Sequence, residues 1–350
     1  MQSKINQHLE QWRAGRESRS SEYFGLVFGG AVVTILVIRA FLAITNYPQL
    51  GSDSLHIAHM LWGGLSLLVA MIIVLYFHGH RAKIIGSVLS GIGFGFFIDE
   101  LGKFITADND YFYQPTPMII YIIFVLLWAT LNWLDSYAPI TKRQKYIDML
   151  TRLRDASING MTKSDKLLIN QYAQELNIGD SQLKSMLVLS KTYSPKYNKS
   201  KAQKYIHNIV NSIYKHINKI LENNYTKFLL IFISVVYAVL CVLLIVGQLD
   251  NIFGLNINNV TTVPIIISLG IVISSAVSFV MLVYGVIVSF KNYNYLLLWL
   301  KRALLVNIFI TQVFLFYTNQ FTAAFGLALT VLLLFCVNII LNNNRVNYEK

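Results

Sequence analysis

Between Gly93 and Phe112 runs the stretch GFGFFIDELGKFITADNDYF, in which Asp99, Glu100 and Lys103 interrupt an apolar run. The apolar run before it opens with His56 and His59, and the one before that carries Arg39. Carboxylates beside an imidazole can take and return protons, and an Arg or Lys can hold an anionic group by charge-assisted hydrogen bonds. The candidate catalytic groups are therefore Glu100 or His59 as general base, with Asp99 orienting His59 or Arg39. Arg39, His56 and Lys103 are the candidate ligand contacts. Burial and a neighbouring guanidinium act on a carboxyl group in opposite senses, so which group is acid and which is base stays open. His56 and His59, with a carboxylate from the next run, could also supply three zinc ligands. The pair lacks the glutamate of HExxH, and no metal is expected.

These groups need elements to carry them, and composition says which. The 350-residue chain is 55% hydrophobic and 13% charged, with a mean hydropathy of +0.52. Soluble domains average about 25% charged residues. Apolar runs near 20 residues are long enough to cross a bilayer. The pattern predicts an all-α polytopic membrane protein with eight transmembrane helices near 23–45, 55–77, 84–106, 117–135, 228–248, 263–290, 296–317 and 320–341. The seventh is the least regular, because Lys301 and Arg302 shift its expected inner end toward residue 303. Residues 1–22 form a polar tail without the apolar core of a signal peptide. Cys241 and Cys336 lie in apolar runs and make no disulfide framework.

Loop charges give the orientation. The loops NYPQLGSD, TADNDYFYQPTP, QLDNIFGLNINNVTT and YTNQ contain no Lys or Arg, while every alternate loop and both tails are basic. By the positive-inside rule both termini, including the tail 342–350, face the cytoplasm of an inner membrane. The net charge of +12 is then a topology signal, and nucleic acid is not an expected partner.

Residues 136–227 divide two four-span halves, 23–135 and 228–341, and hold 16 Lys/Arg against 6 Asp/Glu. Helices are predicted near 140–156, 164–177 and 180–192, with Ser164 as an N-cap and Gly179 as a stop. A basic helix is predicted at 200–224. The insert is expected to meet anionic headgroups, or to dock a cytoplasmic partner. No phosphate loop, dinucleotide fingerprint or CxxC pair is present, so no cofactor is expected. The halves show no repeat.

In this topology Arg39, His56, His59, Asp99, Glu100 and Lys103 converge near the outer ends of spans one to three, Asp99 about 10 Å deep at 1.5 Å per residue. Ser87, Gly91, Gly95 and Asp99 recur every four residues, a small-residue face that lets helices approach; Gly25 offers a weaker case on span one. His56, His59 and Gly63 share one side of span two. Arg39 pairs with Asp99 or Glu100, or Lys103 pairs with Asp99 one turn away. A purely structural lock accounts for the ion pairs; two histidines and adjacent carboxylates favour a working pocket. Asp108 and Asp110 are expected in solvent, and His78 and His80 are expected as ordinary residues of a cytoplasmic turn.

At FGFFIDELGKFI the chain resembles the VanZ-like membrane proteins of bacteria, in which a His near the outer start of one span precedes an Asp-Glu pair late in the next. His59 and Asp99–Glu100 match those features, and Asp53 lies near the acidic residue that precedes the His. Lys103 stands where that family often has Gln, and the aspartate spacing is longer. The likeness covers about residues 53–110 and implies a cell-envelope role. The sequence thus points to binding or modification of an amphiphilic or lipid-linked ligand, with a proton-coupled transporter or a non-catalytic partner protein as alternatives.

Overall fold

The structure, a computed structural model, describes residues 17–45, 51–52, 55–56, 58–108, 110, 113–136, 141–192, 212, 225–253, 265–289 and 293–348. It is all-α, with eight helices long and apolar enough to cross a membrane. The one β feature among the described residues is an antiparallel ladder of Gly51–Ser52 with Leu55–His56. The chain forms two compact units, residues 1–111 with 126–200, and residues 112–125 with 201–350.

In the first unit, α1 (Ser20–Ile44), α2 (His59–Tyr76) and α3 (His80–Asp99) are the first three spans. Helix α3 packs against both others, and its glycines explain how. A methyl group on Gly91 would lie 2.5 Å from the Val27 carbonyl oxygen, and one on Gly95 would lie 2.8 Å from that of Ala31. Gly93, on another side of α3, stands against Gly63, where a methyl on either would come within 2.8 Å of the other's carbonyl oxygen. Close backbone approach on two sides requires residues without side chains. Gly25 behaves differently: no atom of another element lies within 4 Å of its absent Cβ. On α1 the packing glycine is Gly30, which faces Gly91.

Two span boundaries differ from the sequence reading. Span two starts as a helix at His59, because residues 55–56 are extended in the ladder. His56 therefore does not share a helix face with His59 and Gly63. Span three is not continuous to residue 106: α3 ends at Asp99, Glu100 turns the chain (φ −84°, ψ 7°), and a short α4 (Leu101–Ile105) follows.

Helix α5 (Thr116–Ser136) is the fourth span. The insert folds as α6 (Lys142–Asn159), α7 (Lys163–Glu175) and α8 (Asp180–Thr192), around Met149, Leu153, Ile169 and Ala173. The N-cap of α7 is Thr162, whose hydroxyl accepts the Asp165 N–H at 3.0 Å, and not Ser164. Its stop is Asn177, in the left-handed region at φ 56°, where asparagine is tolerated, and not Gly179. The helix expected at 200–224 lies outside the described residues apart from Ser212.

The second unit contains α9 (Tyr225–Phe253), α10 (Ile265–Ser289), α11 (Tyr293–Val306), α12 (Gln312–Thr318) and α13 (Gln320–Tyr348). Its core is Leu230, Cys241, Leu282, Leu297, Leu300, Ala303, Leu304, Val337 and Ile340. The helix of span seven begins at Tyr293 and includes Lys301 and Arg302, with Arg302 over the Trp299 ring at 4.5 Å. A π-helical segment, Asn307–Thr311, joins α11 to α12.

Candidate functional site

The polar groups of the first unit meet at one end of its three spans. Asp99 is the last residue of α3 and is fully buried, as is Glu100. With α3 holding 20 residues, its length of about 30 Å matches a hydrocarbon core. Asp99 ends α3 and is not part of an unbroken helix to residue 106.

Arg39, five residues from the end of α1, donates from Nε to Asp99 Oδ1 at 2.8 Å. Of the two carboxylates open to it, Asp99 is its partner. Lys103 on α4 donates from Nζ to Glu100 Oε1 at 2.9 Å, so among the described residues it pairs with Glu100 and not with Asp99. His59, the first residue of α2, stands between the carboxylates. Its Nε2 is 3.3 Å from Asp99 Oδ2 and its Nδ1 is 3.3 Å from Glu100 Oε1. The Phe96 ring lies against the imidazole with centroids 6.0 Å apart.

Glu100 has a second role that spacing did not reveal. Ala58, at the N-cap of α2, has no side chain to cap it, and the Met60 N–H instead donates to Glu100 Oε2 at 3.0 Å. A carboxylate at a helix N-terminus satisfies an orphan donor and meets the positive end of the dipole. Span two is thus capped from a residue forty positions away.

The hydrogen inventory of the triad is specific. A neutral imidazole carries one N–H and presents a lone pair at the other nitrogen. Both His59–carboxylate contacts are favourable only if the ring holds two hydrogens or one carboxyl holds one. The Arg39 guanidinium on Asp99 and the Lys103 ammonium on Glu100 flank the imidazole on either side.

The side chains of His56 and Asp53 lie outside what is described. Asp108 is exposed, and the Asp110 N–H donates to the Thr106 hydroxyl at 2.8 Å. His80 is no ordinary loop residue: its Nδ1 is 2.8 Å from the Tyr23 hydroxyl and its Nε2 is 3.7 Å from Glu22. Among the described residues, no group of three or more His, Cys, Asp or Glu is arranged to hold a metal ion.

A second polar group, in the second unit, went unnoticed in the sequence. Asn307, Thr311, Gln312 and Thr330 are buried. The Thr330 hydroxyl donates to Asn307 Oδ1 at 3.3 Å, and the Tyr121 hydroxyl donates to the Ile308 carbonyl in the π-helical segment at 2.6 Å. Only uncharged groups take part, so charge counting passed over them; the signal was Asn, Thr and Gln within the apolar run LLVNIFITQVFLF.

No family model matches the chain, and no curated protein or solved structure matches it.

Proposed function

We propose that this chain is an inner-membrane protein, with both termini cytoplasmic, that binds or modifies an amphiphilic or lipid-linked ligand at the outer-leaflet ends of its first three spans. The observation that carries the reading is the His59 imidazole held between two fully buried carboxylates, each paired with a cation. Such a centre holds a proton at the bilayer rim and can pass it to or from a bound headgroup, while Arg39 and Lys103 orient an anionic group. Ionisable groups in spans mark functional sites by default, because they are costly there. In this reading His59 moves the proton, Asp99 positions His59 and Arg39, and Glu100 anchors α2 and Lys103. The likeness to VanZ-like proteins around Asp99–Glu100 supports an envelope role, and the basic insert is suited to anionic headgroups of the inner leaflet.

A strain lacking the gene, tested for sensitivity to envelope-active agents, provides the assay. Wild type should restore resistance, while His59→Ala and Glu100→Gln should not, at equal protein level. Full restoration by both variants would overturn the reading.

The buried polar group of the second unit favours a second reading, proton-coupled transport. Irregular backbone and polar side chains within spans recur in transporters. Proton-coupled flux in proteoliposomes, lost in His59→Ala, would select it.

A further inference from the structure

On α1, two glycines meet no other helix among the described residues. Gly25 and Gly29 have no atom of another element within 4 Å of the absent Cβ, whereas Gly30, Gly91 and Gly95 each meet a neighbouring helix. Gly25 and Gly29 instead line an apolar groove of about 480 Å³, together with Val33, Val37, Ile92 and Phe96. Its one polar group along the wall, the Thr34 hydroxyl, is committed to the Gly30 carbonyl at 2.8 Å.

The groove leads to the ionic site. Along α1 it runs from Gly25 to Ile38, about 20 Å at 1.5 Å per residue. That exceeds the ~15 Å depth of one leaflet's half of a ~30 Å hydrocarbon core. The next residue on α1 is Arg39, paired with Asp99. Phe96 forms part of the groove wall and also lies against the His59 ring. A molecule lying in the groove with its polar end toward Arg39 would therefore bring that end to the triad. The apolar groove on the second unit, between α9 and α10 at about 380 Å³, has no ionisable side chain in its lining.

We infer that the groove seats one acyl chain of an outer-leaflet lipid, entering sideways from the bilayer, and that its anionic headgroup is held at Arg39 and Lys103 beside His59. The inference rests on the reading of the site as ligand-binding and adds the class of ligand: a phosphate-headed lipid, not a water-soluble anion. Hydrocarbon is the surrounding solvent of a span, so a dry groove of carbon walls is filled by chain from the bilayer. The absent side chains at Gly25 and Gly29 provide the room, since neither glycine is needed for helix contact.

Native mass spectrometry of the purified protein, loaded with phosphatidylglycerol or phosphatidylethanolamine, tests this. Wild type should retain one phosphatidylglycerol under activation that strips other lipid. Gly25→Leu combined with Gly29→Leu should cut that retention at least tenfold with an unchanged melting temperature. Gly64→Leu, at an open glycine on α2, should retain it. Lys103→Met, and Arg39→Gln combined with Asp99→Asn, should hold both lipids equally. Unchanged retention in the double leucine variant overturns the inference, as does an unchanged headgroup preference in both charge variants. A wild-type dimer that the leucines convert to monomer would give the groove to a second copy of the chain and also overturn it. Full restoration of envelope resistance by His59→Ala and Glu100→Gln, with lipid still lost from the leucine variant, would instead sink the functional reading alone.

Discussion

At the scale of single residues, the ion pair of Arg39 with Asp99 separates stability from function. Asp99 is fully buried and Arg39 partly so, its side chain 16% exposed. Removing one partner of such a pair leaves the other uncompensated and costs about 3–5 kcal/mol. Asp99→Asn should lower the melting temperature in detergent, and adding Arg39→Gln should recover much of the loss. If that double variant folds well and still fails to restore envelope resistance, the pair belongs to a working site; if it restores resistance fully, the pair is only a lock. The existence of the pair was legible in the sequence, because charges in an apolar run must find one another. The choice of Asp99 over Glu100 was not, since it depends on where α3 stops. Glu100 capping α2 was equally hidden: nothing in local spacing links residues 60 and 100.

Among the elements, α3 determines the packing of the first unit. The four-residue recurrence of Ser87, Gly91 and Gly95 was readable and corresponds to the face against α1. The other face, Gly93 on Gly63, escaped because it lies off that stripe and has its partner on a different helix. Gly95→Leu should lower thermal stability severely, since the added side chain meets the Ala31 carbonyl and Thr34. Gly25→Leu should leave the unfolding free energy within about 0.5 kcal/mol of wild type, as an open site allows. A large loss in Gly25→Leu would contradict the open groove.

The insert provides a pH test. Asp165 is partly buried, which raises its pKa, but the Thr162 hydroxyl and the cations of Arg19 and Arg152 outweigh this and hold it below its usual 3.8. A depressed carboxyl stabilises the fold above the unfolded value, and that contribution is lost as pH falls through the folded one. Amide protection factors in 142–175, exchange rates corrected for the intrinsic pH dependence, should therefore hold from pH 7 to about 4.5 and fall below about pH 4. Asp165→Asn should remove that acid step. An acid step of unchanged size in the variant would assign it to other carboxyls. Helix positions in the insert were predictable from periodicity, whereas the cap and stop fell to Thr162 and Asn177 because hydroxyl and backbone geometry, not residue preference alone, decide them.

For the molecule as a whole, the span count was written in the apolar runs and their loops, since hydrocarbon leaves the backbone few alternatives to helix. The ladder at 51–56 and the π-helical segment were not, because both depend on tertiary contacts. Orientation is open to direct test. In a variant otherwise free of cysteine, Ala107→Cys should react with an impermeant thiol reagent in intact cells, and Lys184→Cys only after permeabilisation. Labelling of position 184 in sealed cells would reverse the orientation.

The N-terminal end of α1 is tied to two elements at once. Arg19 reaches Asp165 and Asp155 of the insert, Ser18 donates to Asp148, and Glu17 pairs with Lys83 on α3. Helices α1 and α3 also carry Arg39 and Asp99 at their opposite ends. A stiff helix transmits tilt along its length, so the insert has a lever on the spacing of the Arg39–Asp99 salt bridge at the far end of the span. In the proposed orientation, anything that pulled the insert from residues 17–19 inside the cell would be registered outside it, without a molecule having crossed.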